Sequence, residues 1–409
     1  MIRNMKDKVI GKLMLKEKKR QNETINLIAS ENFVSKEILT LLGSVLTNKY
    51  SEGYPDKRYY PGCKNFDEIE KLAQKRALKV FDLNPRKWGV NVQSYSGSPA
   101  NLEIFLSLIN PGDTIMGMGL SSGGHLSHGH KVNVSAKLFK AIQYGLNPKT
   151  NLIDYKNLEK LAVKHRPKII ISGASAYPRK IDFKKFGKIA KKIKAFHLAD
   201  ISHIAGLIAA KIHPSPFKFS DVVMTTTHKT LRGPRGAVIF SKKPLDEKID
   251  KIVFPGVQGG PHNNSIGAMA VSFYEALGTE FKNYQKQTVK NAGTLSKELK
   301  KSGFEILTGG TDNHLLIVDL KNTDISGFET EKILESAGIL ATRSALLNDS
   351  SPYKPSGLRL GTPAITSRGA KEKEMRIIAD FIYRLIVKKE PCGKIKSAVL
   401  KLTKKLKKI

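Results

Sequence analysis

Lys229 stands in the run Thr225-Thr226-Thr227-His228-Lys229-Thr230-Leu231-Arg232-Gly233-Pro234-Arg235-Gly236, directly after the apolar stretch Val222-Val223-Met224. A lysine just past a strand end, among hydroxyls and a histidine, suits attachment of a carbonyl cofactor. Its amine must be partly neutral to attack, and partial burial together with the cations Arg232 and Arg235 lowers its pKa. A lysine on a surface loop is the plainer alternative. Asp200, in Ala199-Asp200-Ile201-Ser202-His203, also ends an apolar stretch and precedes Lys229 by 229 − 200 = 29 positions. An aspartate there can pair with a pyridinium nitrogen and keep the ring an electron sink; capping a helix would equally place an Asp at that point. The third group is Ser94-Tyr95-Ser96-Gly97-Ser98-Pro99-Ala100-Asn101. Small residues and free N–H groups at a helix start cradle a phosphate, and Pro99 fits the first helical position; capping alone would explain the same turn. Aldehyde carrier, ring partner and phosphate cradle are together the requirements of pyridoxal phosphate.

These residues need a scaffold that brings strand ends together. Between about residues 87 and 242, short apolar runs at 90–93, 114–118, 168–172, 195–199, 221–225 and 237–240 alternate with helical stretches at 99–109 and 182–194. Such alternation predicts an α/β fold, a mainly parallel, doubly wound sheet covered on both faces. Its ligands bind beyond the carboxyl ends of the strands. Pro255, Gly256, Gly259, Gly260 and Pro261 then break the pattern, and a helical stretch runs from about 266 through 299. A smaller α/β region follows, with strands at 305–307 and 314–319 and a last helix beginning near Ala370. The expected division is an N-terminal helical arm at 1–45, a large cofactor-binding domain at 46–280 and a small C-terminal domain at 281–409.

Composition excludes several classes. No apolar run approaches the ~18 residues a bilayer span needs. The start is Lys-rich without an apolar core, so it reads as no secretory signal. Asp7 and Glu17 argue against a transit peptide, and Met5, Val9 and Leu13 suit a short amphipathic helix lying on a neighbour. The two cysteines, Cys63 and Cys392, form neither a disulfide framework nor a zinc motif and point to reduced thiols in the cytoplasm. With 70 basic and 36 acidic residues the net charge is +34. A nucleic-acid binder would cluster such charge and interleave aromatics. Here lysine is dispersed and dense only at 401–408, so the excess reads as ordinary surface usage that also attracts anionic small molecules. His125, His128 and His130 are metal ligands by type, but no cysteine or acidic cluster accompanies them, and a tight loop near a ligand is the preferred reading.

The chain resembles serine hydroxymethyltransferases along almost its whole length. The resemblance is carried by Asn26-Leu27-Ile28-Ala29-Ser30-Glu31-Asn32, Lys49-Tyr50-Ser51-Glu52-Gly53-Tyr54-Pro55, Lys57-Arg58-Tyr59-Tyr60 and Gly123-Gly124-His125-Leu126-Ser127-His128-Gly129. It continues in the Lys229 motif, Phe254-Pro255-Gly256, Gln258-Gly259-Gly260-Pro261 and Arg359-Leu360-Gly361-Thr362-Pro363-Ala364. It implies the fold type I architecture of pyridoxal-phosphate transferases and a homodimer, or a tetramer built on it, with shared active sites. It makes Lys229 the cofactor-bearing lysine and Asp200 the partner of the ring nitrogen. His125 would stack on the ring, with Ser175 and His203 near its phenolic oxygen. Ser96, Gly97 and Ser98 would hold the phosphate with Arg235 nearby, helped by Tyr50 and Gly260 from the second subunit. Glu52 would be the acid–base group with Tyr60 close to it, and Thr226 and His228 would flank the lysine. Arg359 would grip the substrate carboxylate through its two-pronged guanidinium, Ser30 would join the substrate site, and Leu120, Gly124, Leu126, Ser351, Pro352 and Tyr353 would line the pterin site.

The implied reaction is serine plus tetrahydrofolate to glycine plus 5,10-methylenetetrahydrofolate. Three positions depart from the family: Pro61-Gly62 replaces a Gly-Gly pair, Ala237 replaces a glycine, and the stretch between Arg343 and Pro352 lacks a pterin-binding asparagine, with Ser344 nearest. The last departure favours a rival, a folate-independent aldolase of β-hydroxy amino acids using the same cofactor.

Overall fold

The computed structural model describes residues 5–347, 349 and 355–409, and the chain divides into two compact units, one of residues 34–286 and one of residues 1–33 with 287–409. Among the described residues no helix is long and apolar enough to cross a membrane.

The first unit is built on a seven-stranded sheet. Its strands are β1 (Trp88–Asn91), β2 (Thr114–Met118), β3 (Lys140–Tyr144), β4 (Ile169–Ser172), β5 (Phe196–Asp200), β6 (Val222–Thr226) and β7 (Ala237–Lys242), in the order β1-β7-β6-β5-β4-β2-β3. All neighbours from β3 to β6 run parallel, while β7 is antiparallel to both β6 and β1. The expected mainly parallel α/β sheet is therefore present. Helices on both faces leave no solvated side, so the central strands are apolar throughout; every residue of β4, Ile169-Ile170-Ile171-Ser172, is buried. Helix Phe183–Lys192 shows how the covering works. Phe183, Phe186, Ile189 and Ala190 face inward and its lysines face water, while the Asp182 carboxylate accepts the Lys185 N–H at 3.1 Å and caps its start. Helix Gly97–Leu108 buries Ala100, Ile104 and Phe105 on the core side, each large apolar side chain contributing roughly 1.5–3 kcal/mol.

Two elements differ from expectation. β3 is an additional edge strand, exposed at Lys140 and Gln143 and fully buried only at Tyr144, so its sequence needs no apolar run. The helical stretch after residue 262 is two helices, Asn263–Leu277 and Thr279–Lys301; Gly278 separates them with an extended backbone (φ −76°, ψ 157°).

The second unit holds an antiparallel sheet of β8 (Glu305–Ile306), β9 (Leu315–Asp319), β10 (Thr342–Ser344) and β11 (Gly357–Gly361) in the order β8-β9-β11-β10. Residues Ile25–Asn26 pair in parallel with Ile339–Leu340, which ties the N-terminal segment into this unit. Leu295, Leu316, Leu358, Met375, Ile378, Ile382, Ile395 and Val399 form its core, and helix Glu372–Ile386 supplies three of them.

Candidate active site

Strand ends β5 and β6 lie side by side, with Asp200 paired in register to Met224. This adjacency brings the residues after each strand to one cavity of about 150 Å³. Its lining includes Ser96, Gly97, Ser98, Asn101, His125, His128, Ser175, Asp200, Ser202, His203, Thr226, His228, Lys229 and Arg235.

Lys229 sits on the loop that follows β6, where its Nζ donates to Thr226 Oγ1 at 2.9 Å. The loop closes on itself. The Gly233 N–H donates to Thr227 O at 2.7 Å and the Thr227 N–H to Gly236 O at 3.1 Å. Thr230 fastens it to the β5 side by donating its hydroxyl to His203 O at 2.9 Å while accepting the Gly206 N–H. The lysine thus rides on a doubly anchored turn.

Asp200, the last residue of β5, is 8 % exposed. Its Oδ2 meets His128 Nε2 at 2.9 Å and the Asn101 amide at 3.1 Å, and its Oδ1 accepts the Ser202 N–H at 3.0 Å. Burial alone would raise its pKa; the His128 hydrogen bond and charge, the Ser202 bond and His125 outweigh it and hold the carboxyl well below the usual range. The group stays an anion at neutral pH. His125 accepts the Ser127 N–H at 3.1 Å, and burial followed by the His128 charge pushes it down to about 4. Burial, then Lys229 and Arg235, pushes His228 down to about 3. Both imidazoles are therefore neutral at pH 7.

Helix Gly97–Leu108 begins at the same cavity. Ser96 is its N-cap with an extended backbone, and its hydroxyl makes no capping bond to the helix. Gly97 is required by packing, since a Cβ there would lie 2.7 Å from the Thr226 methyl. Gly123 has φ +95° and a Cβ on it would meet Ala176 O at 2.3 Å; that close approach lets Gly123 O accept the Ser175 and Ala176 N–H groups and sets Ser175 at the cavity.

The residues present fit pyridoxal phosphate. Asn101 Oδ1, His128 Nδ1 and His228 Nδ1 are buried without a hydrogen-bond partner, an arrangement that asks for a polar ligand. A buried anion matches a protonated ring nitrogen, a primary amine matches the aldehyde, and a helix start with an unspent hydroxyl matches the phosphate.

Other named residues lie elsewhere. Tyr50, Glu52, Tyr60 and Gly260 do not line this cavity. They group together: Tyr50 and Tyr60 have ring centroids 5.1 Å apart, Glu52 Oε1 lies 3.1 Å from where a Cβ on Gly259 would stand, and the Tyr50 ring lies at 3.0 Å from that of Gly260. Tyr50 and Tyr60 are exposed. Leu120 and Leu126 open the short turns Leu120–Ser122 and Leu126–His128 on either side of Gly124. Ser30 and Arg359 belong to the second unit, where the Arg359 Nε donates to Thr342 Oγ1 at 3.3 Å and burial pushes its guanidinium down to about 10. Ser351, Pro352 and Tyr353 lie outside the described residues. Sequence reasoning placed His128 in a loop near a ligand and Asn101 in the phosphate-cradle run, but linked neither of them, nor Ser202, to Asp200, which all three grip. The only signal for Asn101 was its place one turn into a helix whose start was already a candidate cradle.

The model of the serine hydroxymethyltransferase family matches residues 3–382 of the 409-residue chain. Enzymes of that family are pyridoxal-phosphate transferases of fold type I with tetrahydrofolate as co-substrate, and they interconvert serine and glycine with transfer of a one-carbon unit. The chain, with its strand-end lysine, buried aspartate and phosphate-ready helix start, belongs to the serine hydroxymethyltransferase family.

Proposed function

We propose that this enzyme transfers the hydroxymethyl carbon of serine to tetrahydrofolate, reversibly, giving glycine, 5,10-methylenetetrahydrofolate and water. The observation that carries the reading is the convergence of Lys229, ionised Asp200 and the start of helix Gly97–Leu108 on one cavity within a chain of this family. Bound pyridoxal phosphate would supply an electron sink for the pair left when the Cα–Cβ bond breaks.

The chain's own residues do the rest. Lys229 carries the cofactor, and Thr226, 2.9 Å from its Nζ, orients the amine. Asp200, steadied by His128 and Asn101, would hold a proton at the ring nitrogen. His125 would stack on the ring, and Ser175 and His203, which line the same cavity, would address its phenolic oxygen. Ser96, Gly97 and Ser98 would hold the phosphate through hydroxyls and backbone N–H groups, with Arg235 adding charge. His228 stays neutral beside the lysine and leaves the amine free of a further cation. Arg359 and Ser30 bind the serine carboxylate. Glu52 takes the proton of the serine hydroxyl as the bond breaks, with Tyr60 beside it.

Tyr50, Glu52, Tyr60 and Gly260 support a homodimer with shared sites. They stand together and do not line the cavity of their own chain, and the two tyrosines are exposed. A second subunit placed over them would bring acid–base and phosphate-binding groups to its own cofactor. Two free thiols, Cys63 and Cys392, suit a reducing cytoplasm. Leu120, Gly124 and Leu126 are the described residues that would contribute to the pterin site. The aldolase alternative has family membership against it, and the stretch that favoured it falls partly outside the described residues.

The test is glycine formation from serine with and without tetrahydrofolate. The reading expects turnover of serine only with the folate present. Equal turnover in its absence would replace the transferase reading with the aldolase one.

A further inference from the structure

Tyr95 precedes the phosphate cradle by one residue and is held by three contacts from a single distant loop. Its N–H donates to the Gln258 side-chain oxygen at 2.9 Å. Its hydroxyl donates to Gly260 O at 2.7 Å. Its ring stacks on the His262 imidazole, with centroids 4.1 Å apart and planes 5° apart. Gln258 is buried, and its amide also donates to Gln93 O at 2.9 Å. One glutamine side chain therefore reads the backbone on both sides of Ser94, as a neighbouring strand would, and the tyrosine reads the carbonyl of Gly260 in return. Segments 93–95 and 258–262 form one clamp.

The two ends of this clamp serve different places. At one end Tyr95 leads directly into Ser96, the N-cap of helix Gly97–Leu108 at the cofactor cavity. At the other end Gly259 and Gly260 lie against Glu52 and the Tyr50 ring, so tightly that any side chain at Gly260 would meet Tyr50 at 3.0 Å.

We infer that Tyr95 is a positioning residue that couples the two cofactor sites of a dimer; this rests on the shared-site reading given above. Phosphate binding orders the cradle after Tyr95 in one subunit. The Tyr95 hydroxyl then fixes the Gly260 carbonyl, and with it the Tyr50–Glu52 group that completes the site of the other subunit. Linkage makes the effect mutual, so filling either site tightens the other.

The experiment titrates the full-length protein, stripped of cofactor, with pyridoxal phosphate, following bound-cofactor absorbance at equilibrium, with mass by light scattering on the same samples. The parent is expected to be a dimer that binds with a Hill coefficient above 1, the second site binding on the order of 5-fold tighter or more, the lower end of ordinary coupling. Tyr95→Phe keeps the ring on His262 and removes only the bond to Gly260. It should remain a dimer of parental thermal stability, bind the first cofactor with little change and bring the Hill coefficient to 1. His262→Leu, which removes the stack and spares the hydroxyl, should retain a coefficient above 1. A dimeric parent with independent sites, or Tyr95→Phe retaining the parental coefficient, overturns the coupling and leaves the shared-site reading intact. A parent that is monomeric with and without cofactor overturns both.

Discussion

Glu103 offers a test of the packing beneath the phosphate cradle. It lies on helix Gly97–Leu108, is fully buried, accepts the Ser94 hydroxyl at 2.5 Å through one oxygen, and has no partner for the other. Burial raises its pKa from 4.5 to about 7, against the pull of the Ser94 bond. A raised folded-state pKa means the folded chain keeps its proton where the unfolded chain has lost it. The stability associated with the neutral acid is thus whole below about pH 4.5 and is lost as pH rises through about 7. A shift of this size corresponds to roughly 3 kcal/mol in full, of which about 2–3 kcal/mol falls between pH 5 and pH 8. Glu103→Gln keeps the shape and cannot ionise, though its new N–H₂ costs something at every pH. Thermal melts of parent and variant at pH 5 and pH 8 separate the two effects, because only the ionisation depends on pH. Relative to the parent, the variant should gain roughly 3–5 °C in melting temperature at pH 8 over its position at pH 5, the unfolding entropy of a large chain keeping the shift small. A difference between the two proteins that does not change with pH would refute the reasoning and place the carboxylate in a polar setting.

Three further outcomes follow from the proposed site. Glu52→Gln should still bind serine, and folate-dependent turnover should fall by about 10²–10⁴-fold, the usual worth of general acid–base help; parental turnover would remove Glu52 from that role. Arg359→Ala should lose serine binding first, seen as a large rise in KM in initial-rate assays, and an unchanged KM would mean that another cation grips the carboxylate. Mixed Glu52→Gln and Lys229→Ala chains should regain activity through hybrid dimers carrying one intact site; no recovery after demonstrated subunit exchange would contradict shared sites.

What could be read from the sequence depended on burial. Strands β4, β5 and β6 are legible because burial on both faces makes them near-continuous apolar runs, and the residues after β5 and β6 could then be picked out as Asp200 and Lys229. β3 escaped because an edge strand needs only part of one face apolar, and Lys140, Ala141 and Gln143 do not spell a strand. The break at Gly278 escaped because apolar spacing resumes immediately beyond it. The grip on Asp200 escaped for a different reason. Its partners His128 and Asn101 are 72 and 99 residues away, and each has an adequate local reading as a loop histidine or a helix-start asparagine. The same holds for Gln258, whose contacts with residues 93 and 95 span more than 160 positions and leave no trace in local pattern. The resemblance to the family supplied residue roles, whereas the hydrogen bonds that hold those residues in place became visible only with the fold.

The central claim is that Lys229 carries the cofactor on the turn after β6. Borohydride reduction of the holoenzyme fixes pyridoxal phosphate to whichever lysine bears it, and proteolysis with mass spectrometry then locates the modified residue. The account predicts the modification on the peptide containing Thr226, His228 and Lys229, at Lys229, with none in the Lys229→Ala protein. Stoichiometric modification of any other of the chain's lysines, or full labelling of Lys229→Ala, would contradict it.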